Sequence, residues 1–262
     1  MSDVEPMDLC VFVPCYNVER FVEPTMRRVD WRGLAKLVRF RVLFVDNAST
    51  DKTWAAVQSC LRYLTEIGVD AEAIRNPVDR GYGGSNKIVF AYCRERGIPA
   101  MGILHSDGQY APEELTRLVE EWKVRPHCAL FYGSRLLGHP LRGGMPLYKF
   151  VANKSLTWVQ NVALGSRISE FHSGYRFYRM AWIRRLAYEA TSDYFDFDTQ
   201  IIFQIRHAGG PVEEMAIPTH YGEEVSNVNG LRTAKGILAN VGVYLLHRWG
   251  LKRSERFRTV DG

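Results

Sequence analysis

The sequence predicts an α/β domain on a mainly parallel sheet flanked by helices, and three observations predict it. Short apolar, β-branched runs alternate with amphipathic helical patterns through the first half of the chain, the mark of repeated βαβ units. The ends of successive runs are polar, carrying Asn17, Asp46, Gly81 to Gly84 and Asp107, where an open sheet collects its ligands. The 262 residues, 46% of them hydrophobic, are enough to close one large core, and no repeat, low-complexity tract or composition break marks a linker.

The elements follow in order. Leu9 to Val13 reads as a buried strand, after which Val18, Phe21, Val22, Met26 and Val29 recur at helical spacing. Val42 to Val45 is a second strand; it runs into the turn Asp46-Asn47-Ala48-Ser49-Thr50-Asp51, whose Asp and Ser suit a helix N-cap. Trp54, Val57, Leu61 and Leu64 mark the next helix. A third strand, near Ala71 to Arg75, leads to the Gly-rich segment Gly81-Tyr82-Gly83-Gly84 and a helix bearing Ile88, Val89, Tyr92 and Cys93. Met101 to Leu104 is the fourth strand, ending at His105-Ser106-Asp107-Gly108-Gln109. Pro112 suits a first helical turn, with Leu115, Leu118, Val119 and Trp122 on one face. Ala129 to Tyr132 is a strand, Gly138 to Met145 a Gly/Pro/basic loop, and Phe150, Val151, Trp158 and Val162 lie on a further helix. Residues 1–222 are expected to form the domain and 223–262 a C-terminal helical extension.

Composition narrows the setting. A formal charge of +5 fits an anionic partner without choosing one. The five cysteines form no CxxC pair and sit in apolar runs, as buried thiols of a reducing cytoplasm do. The N-terminus lacks the basic and apolar regions of a signal peptide, and no apolar stretch reaches a membrane-spanning length. Membrane contact is therefore expected to be peripheral, on the cytoplasmic face.

VFVPCYN, VDNASTDKT, NPVDRGYGGSNK, HSDGQYAPEEL, GSR and FHSGYRFYR occur in an order and spacing that resemble the family 2 glycosyltransferases, over about residues 9 to 225. The similarity is greatest to the branch of dolichol-phosphate and other polyprenyl-phosphate mannosyl- and glucosyltransferases. It implies a GT-A fold and an inverting, metal-dependent transfer of a hexose from a nucleotide diphosphate sugar, with UDP favoured over GDP-mannose, to a lipid phosphate. The alternatives keep the donor but use a glycan or small-molecule hydroxyl, or bind nucleotide sugar without turnover. Nucleic-acid binding would explain the charge but none of the motifs.

By the same resemblance Pro14, Tyr16, Asn17, Asp46, Asn47 and Ser49 hold the nucleoside, with Asp46 on the base, while Gly81, Gly83, Asn86, Ser106 and Asp107 lie beside the rest of the donor. The cation, Mg²⁺ or Mn²⁺, centres on Asp107, a hard oxygen ligand, with Gln109 also reaching it. His105 stands where the family has its first metal carboxylate, and three roles stay open: a ligand suited to Mn²⁺, a hydrogen-bond partner of the donor phosphates, or a packed core histidine. Arg135 and Arg176, with the Ser173 hydroxyl, match an acceptor-phosphate cradle, for which guanidinium geometry is apt. Asp198, in Asp196-Phe197-Asp198, binds donor-sugar hydroxyls or an attacking group, or serves the dipole of its helix. The segment Arg232 to Arg258 has one acid, Glu255, among many basic and apolar residues, so it either lies on anionic lipid or packs on its own domain.

Overall fold

The structure of the protein, a computed structural model, describes residues 8–108, 110–219 and 230–259. Among them seven strands form one sheet: β1 (Leu9–Cys15), β2 (Phe40–Asp46), β3 (Ala71–Arg75), β4 (Ala100–Ile103), β5 (Leu130–Ser134), β6 (Arg176–Arg179) and β7 (Val212–Ala216), in the order β3-β2-β1-β4-β6-β5-β7. The pairings are parallel except those of β6, which runs antiparallel to both β4 and β5. One reversed strand has a direct consequence for the site: β6 begins at the edge where its neighbours end.

Side chains alternate across the pleat, so each inner strand serves two cores. Leu9, Val11 and Val13 of β1 face one side with Val42 and Phe44, packed beneath α1 (Val22–Arg27), α2 (Trp31–Leu37), α3 (Thr53–Glu66) and α5 (Glu114–Lys123). Cys10 and Phe12 face the other side with Leu43 and Val45. That layer is covered by α4 (Gly81–Glu95), α6 (Leu147–Leu164), the short α7 (Met180–Ile183), α8 (Phe197–His207) and α9 (Gly230–Arg248). All five cysteines are buried free thiols, as the sequence suggests.

Two local expectations are corrected. The helical spacing from Val18 to Val29 spans two elements: α1 ends at Arg27, and Asp30 restarts the chain by accepting a hydrogen bond from the Gly33 amide at 2.9 Å as the N-cap of α2. The Gly-rich Gly81–Gly84 segment does not precede the helix but forms the first turn of α4 itself.

The expected division at residue 222 falls in 220–229, outside the described residues. From Gly230 onward α9 packs against α6 and α8, burying Ile237, Val241 and Tyr244, so this much of the extension docks on its own domain. No helix among the described residues is long and apolar enough to cross a membrane.

Candidate active site

Register places Cys15, Asp46 and Arg75 side by side at the carboxyl ends of β1, β2 and β3. Asp46 is fully buried. Its Oδ1 accepts the Ser49 amide at 3.1 Å, closing a side-chain turn that carries Ala48 to a φ of 58°, while Oδ2 makes no hydrogen bond and meets only the half-exposed Arg75, Nε at 3.2 Å. Asn17, itself at a φ of 52°, donates its amide to Ser49 Oγ and accepts the Thr50 amide, so it fastens the β1 loop to that turn. A cleft of about 440 Å³ opens here, lined by Ala48, Ser49, Arg75, Asn76 and Pro77. Tyr16 is exposed at 40% on the same strand end.

Asn47 is a hub rather than a free donor. Its Oδ1 accepts from Asn76 Nδ2 and the Arg80 amide, and its Nδ2 donates to Asp79, whose carboxylate also accepts the Gly81 amide. Asp79, Arg75 and Asn76 were not singled out from the sequence. The signal was present as the polar stretch after β3, but side-chain contacts between loops are not periodic and leave no pattern to read.

At the end of β4, Ser106 is buried and its hydroxyl donates to the Pro14 carbonyl, tying β4 to β1. His105 lies in an aromatic column, 6.0 Å from Tyr82 and 4.8 Å from Tyr110 between ring centroids, with Tyr82 in turn stacked on Phe195. Burial depresses the imidazole pKa, so the ring is neutral at neutral pH. Its Nε2 is buried without a hydrogen-bond partner against Gly174, where a Cβ would stand 2.1 Å away. Nε2 therefore faces the Gly174 backbone. Asp107 is partly exposed, followed by Gly108 at a φ of 70°.

The first turn of α4 meets the loop before α8 at very short range. A Cβ on Gly81 would stand 2.1 Å from the Asp193 carbonyl oxygen, and one on Gly83 2.3 Å from that of Ser192 and 2.7 Å from Phe197 Cβ. These glycines thus let the loop that leads through Asp196 into α8, which bears Asp198, pack directly against the first turn of α4. Asn86, fully buried, donates to the Tyr82 carbonyl and leaves its Oδ1 without a partner. Asp196 is spent on structure, accepting from Ser192 and Gln200. Asp198 is different: burial lifts its pKa to about 6, with Arg176 and the Tyr82 hydroxyl pulling it back, and its Oδ1 lies 3.3 Å from Arg176 without a hydrogen bond.

Arg176 and Ser173, expected in an acceptor cradle, are both buried and bonded within the protein. Arg176 is fully buried and donates to the carbonyls of Ser173 (2.6 Å), Phe171 (2.8 Å) and Asp198 (2.9 Å) and to the Tyr178 hydroxyl (3.3 Å). Ser173 is equally buried, with its proton committed to the Gly133 carbonyl. Both are internal struts; Arg176 positions Asp198. Arg135, just past β5, is held by the buried Glu170, which accepts its Nε at 2.9 Å and its amide at 2.8 Å. Its guanidinium lies over Tyr110, 5.6 Å from the ring centroid. Glu170 was missed in the sequence, where it stands as one acid before FHSGYR.

Gln109 lies outside the described residues. Among those described, no group of three or more His, Cys, Asp or Glu side chains gathers around a point. Among the described residues Asp107 can offer a cation one hard carboxylate, and a diphosphate is a source of further oxygen ligands.

An open α/β sheet with polar groups converging on its strand ends is the class of fold that takes a ligand in that crevice. The chain belongs to glycosyl transferase family 2, whose profile matches residues 10–190, and it is a glycosyltransferase of that family. It is 31% identical over 253 residues to the low-salt glycan biosynthesis hexosyltransferase Agl6 of Haloferax volcanii, covering 93% of this chain but only 56% of that relative. The undecaprenyl-phosphate mannosyltransferase of Micrococcus luteus is 25% identical over 252 residues, covering 94% of this chain and 95% of the relative. In fold it resembles glucosyl-3-phosphoglycerate synthase from Mycobacterium tuberculosis in complex with Mg²⁺ and UDP, with a TM-score of 0.61 at 15% identity over 95% of this chain and 81% of that one. The fold and family expected from the motifs are those found.

Proposed function

We propose that the protein transfers a hexose from a nucleotide diphosphate sugar, UDP in preference to GDP, to a polyprenyl phosphate, using Mg²⁺ or Mn²⁺ at the cytoplasmic face of a membrane. The observation that supports this reading is that Asp46 lies buried at the end of β2, bonded to the Ser49 amide and Arg75 that line the cleft, while Asp107 follows the end of β4, two strands away along the same edge. The lipid acceptor is supported by the Micrococcus luteus relative, and UDP and the metal by the ligands of the fold neighbour.

In this reading Asp46 takes the imide edge of the base, with Arg75 beside it, and Ser49 and Asn17 keep the turn rigid around the ribose. Asp107 would hold a divalent cation, which would supply positive charge to neutralise a diphosphate leaving group. Arg135, oriented by Glu170, meets the anionic acceptor. A phosphate monoester is ionised at neutral pH, so its oxygen attacks the anomeric carbon without a general base. Asp198, with its pKa near 6, is ionised above neutrality and can hold hydroxyls of the donor sugar.

The test is incubation with radiolabelled nucleotide sugars, polyprenyl phosphate and either metal. An organic-extractable product dependent on divalent cation is expected. Label that stays aqueous with every donor sinks the lipid acceptor.

One observation favours a second reading: Asp198 presents a carboxylate oxygen without a hydrogen bond and titrates near neutrality, as a general base for a sugar hydroxyl requires. Transfer to a soluble glycan with none to lipid phosphate decides for it.

A further inference from the structure

The sixth helix is apolar on the side it does not bury. Leu147, Val151, Trp158 and Val162 are 65%, 53%, 68% and 64% exposed. Their separations of four, seven and four residues place them within an arc of about 60° on a helix of 3.6 residues per turn. The buried positions Thr157, Gln160 and Ala163 fall on the opposite face, against the body of the domain. The stripe continues at both ends. Leu137 and Leu141, each 49% exposed, precede it on the loop that leaves Arg135. Beyond its far end stand Trp249 and Leu251, 64% and 71% exposed, brought close because the Arg248 guanidinium donates to the Ala163 carbonyl at 2.8 Å.

Charge identifies what such a surface fits. From Arg135 to Arg167 the chain contains no Asp or Glu, and it contains none from Gly230 to Ser254. The first stretch adds Arg142, Lys149 and Lys154 between its terminal arginines, and the second carries Arg232, Lys235, Arg248, Lys252 and Arg253. A second copy of the same face would bring like charges together around the apolar stripe. An anionic lipid surface supplies the opposite sign and an apolar interior for the stripe to enter.

We infer that α6, with the turn after α9, is a peripheral docking surface for an anionic bilayer. The inference extends the lipid-acceptor reading. The stripe starts on the segment that carries Arg135, so a membrane held there presents lipid headgroups to the acceptor side of the site. The apolar half of the C-terminal helix is spent on its own domain, and its last turn joins α6 at the membrane.

Co-sedimentation with vesicles tests this without donor or acceptor. The full chain is expected to bind phosphatidylcholine vesicles containing phosphatidylglycerol, to ignore phosphatidylcholine alone, and to be released by high salt. Trp158→Ser combined with Leu147→Ser should weaken binding by about tenfold or more while leaving the melting temperature unchanged, because both side chains are exposed. Arg142→Glu with Lys154→Glu should do the same through charge. Equal binding to both vesicle types, no binding to either, or a dimer that these substitutions dissociate overturns the proposal. Vesicle binding without transfer to polyprenyl phosphate sustains the surface and sinks only the acceptor reading; transfer in detergent without vesicle binding sinks only the surface.

Discussion

Arg176, with no exposed surface, holds the Asp198 carboxylate at 3.3 Å while giving its remaining donors to three backbone carbonyls and a tyrosine hydroxyl. Removing one partner of a buried pair strands the other. Arg176→Met should destabilise the fold by about 3–5 kcal/mol, measured by urea unfolding. A variant as stable as the parent shows the pair to be dispensable.

Asp198→Asn separates the two acceptor readings. Transfer to a phosphate should fall by less than about a hundredfold, whereas loss of a general base costs about 10²- to 10⁴-fold. The pH dependence of stability also has a defined sign. The folded pKa is raised to about 6 from 3.8, so the contribution of Asp198 is fully present below 3.8 and lost as pH rises through about 6. Unfolding free energies should therefore shift against the parent, relative to the Asn variant, between those values.

Gly83→Ala places a methyl group 2.3 Å from the Ser192 carbonyl oxygen and 2.7 Å from Phe197 Cβ. A cost of about 1–3 kcal/mol is expected, with a loss of activity because the displaced segment leads into the first turn of α8, which carries Asp198. A crystal structure of the variant with an unmoved 192–198 loop contradicts this.

Glu170→Gln retains the shape but weakens the grip on Arg135. A rise in KM for the acceptor with unchanged KM for the nucleotide sugar is expected. The reverse pattern assigns Arg135 to the donor.

Burial, and then His247 at 5.2 Å between ring centroids, depress the pKa of His207 where α8 meets α9. Its contribution to stability is present above the ordinary histidine value of about 6.5 and lost as pH falls through the depressed one. The melting temperature should drop between about pH 7.5 and about pH 5, less so in His207→Gln.

The first two strands were legible because each is a run of buried β-branched and aromatic residues closed by a polar end; Ala71–Arg75, only partly buried, still matches its expected bounds to the residue. The motifs located Asp46 and Asp107 because strand-end position follows from the same pattern. What the sequence concealed is direction. Arg176 lies in a motif beside the site, yet it points inward, since β6 is buried on both faces and its first side chain meets carbonyls from the segment that precedes it. Glu170 stayed hidden for the same reason: a buried carboxylate is explained only by the arginine and amides that fold onto it. The helix split at Asp30 shows periodicity surviving across a cap, because two short helices can press apolar faces onto one core.

The reversal of β6 sets what evolution can exchange. The Asp46 and Asp107 strand ends belong to β1 to β4, whereas the excursion from Arg135 to Tyr175 leaves and re-enters the sheet between adjacent strand ends of β5 and β6. Such an excursion can vary in length and sequence without re-registering any strand of the parallel half.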